Sequence, residues 1–244
     1  MKPQAAPSRA PAPAEALTGV RTLAELNAII SAADPNVPGG TRAVLGEGPL
    51  HPALAFVGEQ PGDQEDLQGR PFVGPAGELL TRAMGDAGIR REASYVTNAV
   101  KHFKFEQRGK RRLHQKPTAG EVSHYRWWLK RELEIVAPKL VVALGATAVL
   151  ALAGKALPVT KLRGAFRFDG VLGYITVHPS YLLRIPDAAA KRAAYDAFVA
   201  DLKAARVLAN RGPAHRAERS GGRDAPPRRS AQPTGARGGG RGTP

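Results

Sequence analysis

Cysteine is absent from all 244 residues of this chain. Without thiols the protein cannot form disulfides, use a thiolate nucleophile, or hold zinc or an iron–sulfur cluster on cysteine ligands. Long apolar segments are missing as well. The longest, from Leu140 to Gly154, is shorter than the roughly 20 residues that a membrane-spanning helix needs. We therefore expect no membrane partner and no cysteine-based redox chemistry.

The two ends of the chain have little that could be buried in a core. Residues 1–20 are rich in Ala and Pro, and residues 211–244 consist largely of Arg, Gly, Pro and Ser. We expect both ends to be disordered and a folded domain to span residues 21–210. The Arg/Gly tail could tether nucleic acid loosely or be a solvated appendage.

Acidic residues are few: 21 Asp and Glu stand against 36 Lys and Arg, which gives a net charge of +15. The cations are densest over residues 101–116, which contain seven of them and a single acid, Glu106. Such a run favours contact with nucleic acid, because cations along phosphates release counterions. The candidate phosphate contacts in this run are Lys101, Lys110, Arg111 and Lys116. His114 lies among them, and an imidazole can act as a base or a nucleophile near neutral pH.

Short apolar runs alternate with helical patterns along the rest of the chain. The predicted strands are Leu54–Val57, Tyr95–Ala99, Leu140–Leu144 and Tyr174–Val177, and the predicted helices are Ala76–Ala87, Thr118–Val136, Ala146–Ala153 and Asp187 to Leu208. A hairpin-like segment covers residues 165–168. This alternation is typical of the α/β class, and we expect a three-layer α/β/α sandwich around a mostly parallel four-stranded sheet.

Polar side chains stand where the predicted strands end. In parallel sheets, ligands bind beyond the carboxyl ends of the strands, so Glu59, Asn98 and His178 should share one cleft, with His114 on its rim. Each residue also has an ordinary interpretation, since Glu59 could be a solvated charge, Asn98 a turn residue and His178 a strand cap. The chemistry of these side chains also allows a functional interpretation. Glu59 could activate a water or a histidine, and the Asn98 amide could read a pyrimidine edge.

A segment rich in glycine and proline, residues 69–77, fixes a tight backbone path around Phe72. An isolated Phe usually belongs to a core, but between turn-forming residues it could be a platform on which a base stacks. The glycines match neither the dinucleotide-binding fingerprint nor a phosphate-binding Gly-Lys-Ser/Thr ending, so we expect no nucleotide cofactor.

Together these segments resemble the uracil-DNA glycosylase superfamily, in the branch of the iron–sulfur family 4 enzymes. The matching motifs are Gly58–Asp63, Pro71–Gly77, Val96–Phe103 and His178–Arg184, in this order, and the resemblance spans roughly Leu23 to Leu202. The loop Lys110–His114 is similar to the hallmark of the X-type subfamily, whose members trap uracil-containing DNA covalently.

The resemblance implies a role for each matched residue. Phe72 would stack on a flipped uracil, Asn98 would read its polar edge, and His178 would donate a hydrogen bond to its carbonyl oxygen. Glu59 would orient or deprotonate His114, which would attack the anomeric carbon. Gln60 and Arg112 would hold the loop closed. The other matched positions expected to contact substrate are Asp63, Ser180 and Arg184.

The chain departs from these relatives in one respect, because they carry an iron–sulfur cluster on cysteines. The positions that align with those ligands fall near Ser31, Asp34, His102 and His124. We expect no cluster, and we expect direct packing or polar contacts in its place. A zinc ion on Asp34, His102 and His124 is a less favoured alternative. Aromatic residues of the neighbouring helix, Tyr125, Trp127 and Trp128, are expected to be core residues rather than a base-stacking surface.

We therefore expect a monomeric base excision repair enzyme without a cofactor or metal, bacterial, cytoplasmic and associated with the nucleoid. It would excise uracil from DNA, preferably single-stranded, and remain linked to the abasic sugar through His114. Two alternatives stay open: a glycosylase that turns over with an activated water, and a non-catalytic protein that binds uracil-DNA or single strands.

Overall fold

The computed structural model describes residues 19–211, so the two ends expected to be disordered lie almost entirely outside the described residues. The strands are β1 (Leu54–Gly58), β2 (Tyr95–Asn98), β3 (Phe105–Arg108), β4 (Arg111–His114), β5 (Leu140–Leu144), β6 (Gly164–Phe168) and β7 (Val171–Thr176). The helices are α1 (Leu23–Ala32), α2 (Asp63–Gln68), α3 (Pro75–Asp86), α4 (Ala119–Val136), α5 (Gly145–Ala153), α6 (Val159–Leu162), α7 (Pro179–Leu183) and α8 (Ala188–Asn210), with a short 3₁₀ turn at Arg91–Ala93.

Local sequence signals explain where the long helices begin. The Thr118 side chain accepts a hydrogen bond from the backbone N–H of Glu121, and the Glu121 carboxylate accepts one from the N–H of Thr118. This capping box starts α4, and Asp187 caps α8 in a similar way through the N–H of Ala190. Pro75 starts α3 at the first turn, where a missing N–H does no harm. Along residues 19–211, no helix combines the length and the apolar character needed to cross a membrane.

The main sheet has the strand order β2-β1-β5-β7-β6. The first four strands are parallel, as predicted, and their register pairs Gly58 with Asn98 and Leu144 with Thr176. The predicted strand count is one too low, because β6 pairs antiparallel with β7 as a fifth, edge strand. The segment interpreted as hairpin-like is thus part of the main sheet. The parallel pairing brings the carboxyl ends of β1, β2, β5 and β7 to one edge.

Helices cover both faces of this sheet and complete the predicted three-layer sandwich. Successive residues of β5 point to opposite sides, so that Val142 packs in the cluster with α3 and α8, whereas Val141 packs in the cluster with α1, α4 and α5. All five residues of β5 are buried. A strand buried on both faces reads as a continuous apolar run, which is why its bounds could be predicted without error.

The basic segment predicted as a loop is a β-hairpin. Strands β3 and β4 form a separate two-stranded antiparallel sheet, in which Phe105 pairs with His114 and Arg108 pairs with Arg111. Gly109 makes the turn with a φ of +56°, a conformation that favours glycine. The hairpin leaves the main sheet just after β2, so its root lies beside the carboxyl edge.

Candidate active site

A cleft of about 700 Å³ lies at the carboxyl edge of the parallel strands. The residues predicted from sequence that line it are Glu59, Gln60, Asp63, Phe72, Asn98, His114, Lys116, His178, Ser180 and Arg184. The expectation that three strand ends and the basic segment share one cleft is thus met in position. What each residue does there depends on its contacts.

His114 and Glu59 face one another across the mouth of the cleft. His114 ends β4 and is half exposed, and its Nε2 atom lies 3.3 Å from Oε1 of Glu59. The other oxygen of this carboxylate, Oε2, accepts a 2.6 Å hydrogen bond from the hydroxyl of Thr147. Burial by itself raises the pKa of Glu59, but the contact with His114 and the bond from Thr147 outweigh it and lower the pKa overall. The carboxylate is therefore ionised, with one oxygen directed at the imidazole.

Thr147 is a residue of the cleft region that the sequence did not predict. It is buried in the first turn of α5, directly beyond the end of β5, so the rule that placed Glu59, Asn98 and His178 applies to it as well. The turn before it depends on Gly145, which has a φ of +85° and leaves room for His178, since a Cβ there would lie 3.0 Å from the His178 Cβ. The Gly-x-Thr pattern after an apolar strand was the available signal.

His178 lines the cleft, and its hydrogen bonds fix which ring nitrogen carries the proton. Its Nδ1 accepts a 3.2 Å hydrogen bond from the backbone N–H of Ser180 and lies 2.9 Å from the Ser180 hydroxyl, to which Arg184 donates. Since Nδ1 accepts, the proton of the neutral ring resides on Nε2. Burial lowers the pKa of His178 to about 4, although Glu59 partly opposes the shift. At neutral pH the imidazole is thus an uncharged hydrogen-bond donor.

Asn98 and Phe72 also line the cleft. Asn98 is buried at the end of β2, and Gly58 makes space for both side chains, since a Cβ there would lie 2.3 Å from Asn98 Oδ1 and 2.5 Å from Phe72 Cζ. Phe72 has a φ of +55°, unfavourable for a residue with a Cβ. Its ring stacks at 6.4 Å from that of His178, with 30° between the planes. A strained backbone that presents an aromatic ring to a cleft is typical of a ligand site.

A second residue without a predicted role holds the Phe72 segment in place. The buried Glu65 carboxylate accepts hydrogen bonds from the backbone N–H groups of Gly62 at 3.0 Å and of Gly74 at 2.9 Å. One side chain thus ties the turn after β1 to the turn that follows Phe72. Sequence alone could not find it, because acidic residues at the start of a helix usually serve only the helix dipole.

Two predicted residues attach the hairpin to the body of the protein. The Arg112 guanidinium donates to Asp63 Oδ1 at 2.6 Å and to Asp66 Oδ2 at 2.5 Å, and it lies over the ring of Phe105. The Gln60 side chain donates to the carbonyl of Gln115 at 3.0 Å and accepts from the N–H of Lys104 at 3.2 Å. Gln60 therefore joins the residue before β3 to the residue after β4, next to His114.

The predicted phosphate contacts divide into two groups. Lys110 and Arg111 are exposed at the hairpin tip, and Lys116 is exposed beside the cleft. Lys101 is different: it has no solvent exposure and forms a 2.5 Å ion pair with Glu132. The expectation that Lys101 contacts DNA phosphate is wrong, because its ammonium faces the protein interior.

Polar contacts link residues in the region where the sequence resemblance suggested cluster ligands. The Tyr125 hydroxyl lies 2.8 Å from His102 Nδ1 and accepts a hydrogen bond from the N–H of Asn36 at 3.0 Å. Burial lowers the pKa of His102 to about 4. Without thiols these residues do not fit an iron–sulfur cluster.

Among the described residues, no three potential metal ligands, Asp34, His102 and His124 included, come together in one group. Tyr125 and Trp128 are buried, as expected of core residues. Trp127 is 45% exposed, so its assignment to the core is wrong. It points away from the helix face that packs on the sheet.

Comparisons with known proteins agree with one another. A sequence model described as the uracil DNA glycosylase superfamily matches residues 45–203. The chain is 44% identical over 147 residues to the type-4 uracil-DNA glycosylase of Thermotoga maritima, covering 59% of this chain and 73% of that protein. It is 33% identical over 157 residues to the type-4 uracil-DNA glycosylase of Sulfurisphaera tokodaii, covering 60% of this chain and 68% of that one. A type-5 uracil-DNA glycosylase of Pyrobaculum aerophilum is 37% identical over 100 residues, covering 40% of this chain and 41% of that protein.

Proposed function

Because the chain belongs to the uracil-DNA glycosylase superfamily, we propose that it excises uracil from DNA and becomes covalently linked to the abasic sugar through His114. The observation that carries the proposal is the contact of 3.3 Å between His114 Nε2 and Glu59 Oε1 at the mouth of the cleft. It pairs an exposed nucleophile with an ionised carboxylate that can accept its proton.

The walls of the cleft suit a flipped pyrimidine. The Phe72 ring offers a stacking surface, and the Asn98 amide can donate to a carbonyl and accept from a ring N–H, a pattern that uracil satisfies and cytosine does not. His178 supports the same assignment, since its Nε2–H can donate to the second carbonyl oxygen. A neutral donor already in place stabilises negative charge that develops on the departing base.

The proposed covalent step moves one proton and replaces the bond to the base with a bond to His114. Glu59 takes the proton from His114 Nε2, and the nitrogen lone pair forms a bond to the anomeric carbon of the sugar. The bond from that carbon to the base nitrogen breaks, and its electron pair leaves with uracil as an anion, which His178 stabilises. The products are a neutral alkylated imidazole, a protonated Glu59 and the uracil anion.

We further propose that the protein acts as a monomer on single-stranded DNA and without an iron–sulfur cluster. The exposed cations Lys110, Arg111 and Lys116 support a DNA strand along the hairpin and past the cleft. The lack of cysteine supports the absence of the cluster.

A denaturing gel tests the central claim. The protein is mixed with a labelled uracil-containing single strand, with a thymine strand and a His114→Ser variant as controls. We expect a band that resists heat and detergent, seen only with uracil and lost in the variant. Uracil-dependent breakage after alkali, without a shifted band, would instead establish a turnover glycosylase. Neither signal would mean a protein that only binds DNA.

A further inference from the structure

A fully buried polar cluster lies directly behind Asn98. Lys101 and Glu132 are 0% and 1% exposed, and their side chains meet at 2.5 Å. The Lys101 ammonium also donates to the Thr97 hydroxyl at 2.6 Å and to the backbone carbonyl of Asn98 at 3.0 Å. All three of its hydrogens are therefore used, and one of them holds the residue at the cleft wall.

The cluster continues to the other end of β2. Glu132 Oε1 accepts from the Tyr95 hydroxyl at 2.9 Å and from Thr97 at 3.0 Å, so α4 is joined to β2 at two places. Gly46 leaves the space for this approach, because a Cβ there would lie 2.2 Å from the Tyr95 hydroxyl oxygen and 2.3 Å from Glu132 Oε1. The absence of a side chain at Gly46 thus gives Tyr95 and Glu132 the space to form their hydrogen bond.

Stability alone does not explain such a pair. Removing two charges from water is costly, and replacing a buried ion pair with apolar residues of similar size is often neutral or stabilising. What an apolar pair could not do is donate to the Asn98 carbonyl. The same turn is tied to β1 as well, since the N–H of Ala99 donates to the Gly58 carbonyl and that of Val100 to the Glu59 carbonyl, both at 3.0 Å.

We propose that Lys101 and Glu132 are positioning residues that fix the end of β2, and with it the Asn98 amide, in the orientation that reads uracil. The inference rests on the proposed function of Asn98 as the residue that contacts the base edge. It does not require Lys101 to touch the substrate. The carbonyl that the ammonium holds belongs to Asn98 itself, so loss of that bond frees the backbone from which the amide projects.

The experiment compares the double variant Lys101→Met/Glu132→Leu with Leu129→Ala, which opens a cavity one turn away on α4, in the apolar cluster, and leaves every hydrogen bond of the ion pair intact. Reaction with uracil-containing single strands is measured under single-turnover conditions, together with melting temperature. In the double variant we expect the rate at saturating DNA to fall about 10- to 100-fold, the size of effect expected from misplacing one contact group. The half-saturating DNA concentration should not change, and inhibition by free uracil should be lost. Leu129→Ala should melt earlier yet react at the wild-type rate.

Thr97→Val gives a second test that keeps both charges and the shape of the core. It removes one acceptor of the ammonium, and we expect a smaller loss of rate in the same direction. The inference is overturned if the double variant folds, reacts at the wild-type rate and is still inhibited by uracil. If the double variant does not fold, the same result with Thr97→Val overturns it. If the wild type itself removes no uracil, the proposed function fails instead, so the two failures are distinguishable.

Discussion

The β3–β4 hairpin has a side attached to the body of the protein, here called the root, and an exposed tip, and the two are built from similar residues in different surroundings. At the root, Arg112 is bound to Asp63 and Asp66, and the side chain of Gln60 bonds to the residues that flank the two strands. At the tip, Lys110 and Arg111 are exposed, and the nearby ion pair of Arg108 and Glu106 is exposed on both sides. Arg111 and Arg112 are neighbours on β4, and successive side chains of a strand point to opposite sides, so the direction of the side chain, and not residue type, separates cations that hold the structure from cations that face solvent.

The difference indicates that the root and the tip of the hairpin have different functions. Exposed ion pairs contribute at most about 1 kcal/mol and are screened by salt, so the tip adds little to folding and remains available to phosphates. The root carries His114 to within 3.3 Å of Glu59, and its contacts determine whether that distance is kept. We expect changes at the root to alter the chemical step and changes at the tip to alter DNA affinity.

Arg112→Met should have the largest effect. Methionine keeps part of the apolar stem but removes both ion pairs, and it leaves the buried Asp66 carboxylate with only the Thr41 hydroxyl beside it. We expect a loss of about 2–3 kcal/mol in unfolding free energy, somewhat below the usual cost of breaking a buried pair because Asp63 is partly exposed. Once His114 is no longer held, adduct formation should slow about 100-fold.

Urea unfolding and single-turnover adduct assays check this result, and Arg111→Met is the matched control from the neighbouring position. Since Arg111 is exposed, its loss should change stability by less than about 0.5 kcal/mol and leave the rate at saturating DNA unaltered. Equal effects of the two variants would remove the distinction between root and tip.

The same contrast explains what sequence could predict. The buried strand β5 was found with its bounds because every residue in it is apolar, and the cleft followed from one rule about parallel strands. A charged residue type predicts the burial of a side chain less well than an apolar one does. Lys101 and Lys110 are both lysines of one basic segment, and nothing in that segment shows that only one of them is buried. The burial of Lys101 depends on Glu132, which is 31 positions away. Contacts such as Thr147 with Glu59, at a separation of 88 residues, require the fold itself.

Thr147→Val tests the contact between Glu59 and His114 without changing the hairpin. It removes the hydroxyl that donates to the Glu59 carboxylate. Loss of the hydroxyl bond removes one of the contacts that lower the pKa of Glu59, so the pKa should rise towards the value that burial favours. Glu59 must be ionised to take the proton, and it would become protonated at a higher pH than in the wild type. The acidic limb of the pH–rate profile should therefore move to higher pH, with a several-fold lower rate on that limb and little change at neutral pH.

Thr147→Ser keeps the hydroxyl and is expected to retain the wild-type profile, which separates the hydrogen bond from the packing of the methyl group. An unshifted acidic limb in the valine variant would contradict the assignment of Glu59 as the base.

Lys110→Gln/Arg111→Gln should have the smallest effect and should appear in affinity alone. Each cation that contacts a phosphate of single-stranded DNA contributes about 0.7 to the slope of log K against log salt, so the double change should reduce that slope by about 1.4. Fluorescence anisotropy over a salt series measures it, with adduct formation at saturating DNA as the internal control. That rate should not change, because neither side chain lies in the cleft and the contacts of Arg112 and Gln60 at the root stay intact. A slower chemical step with an unaltered salt slope would contradict the distinction between the root and the tip of the hairpin.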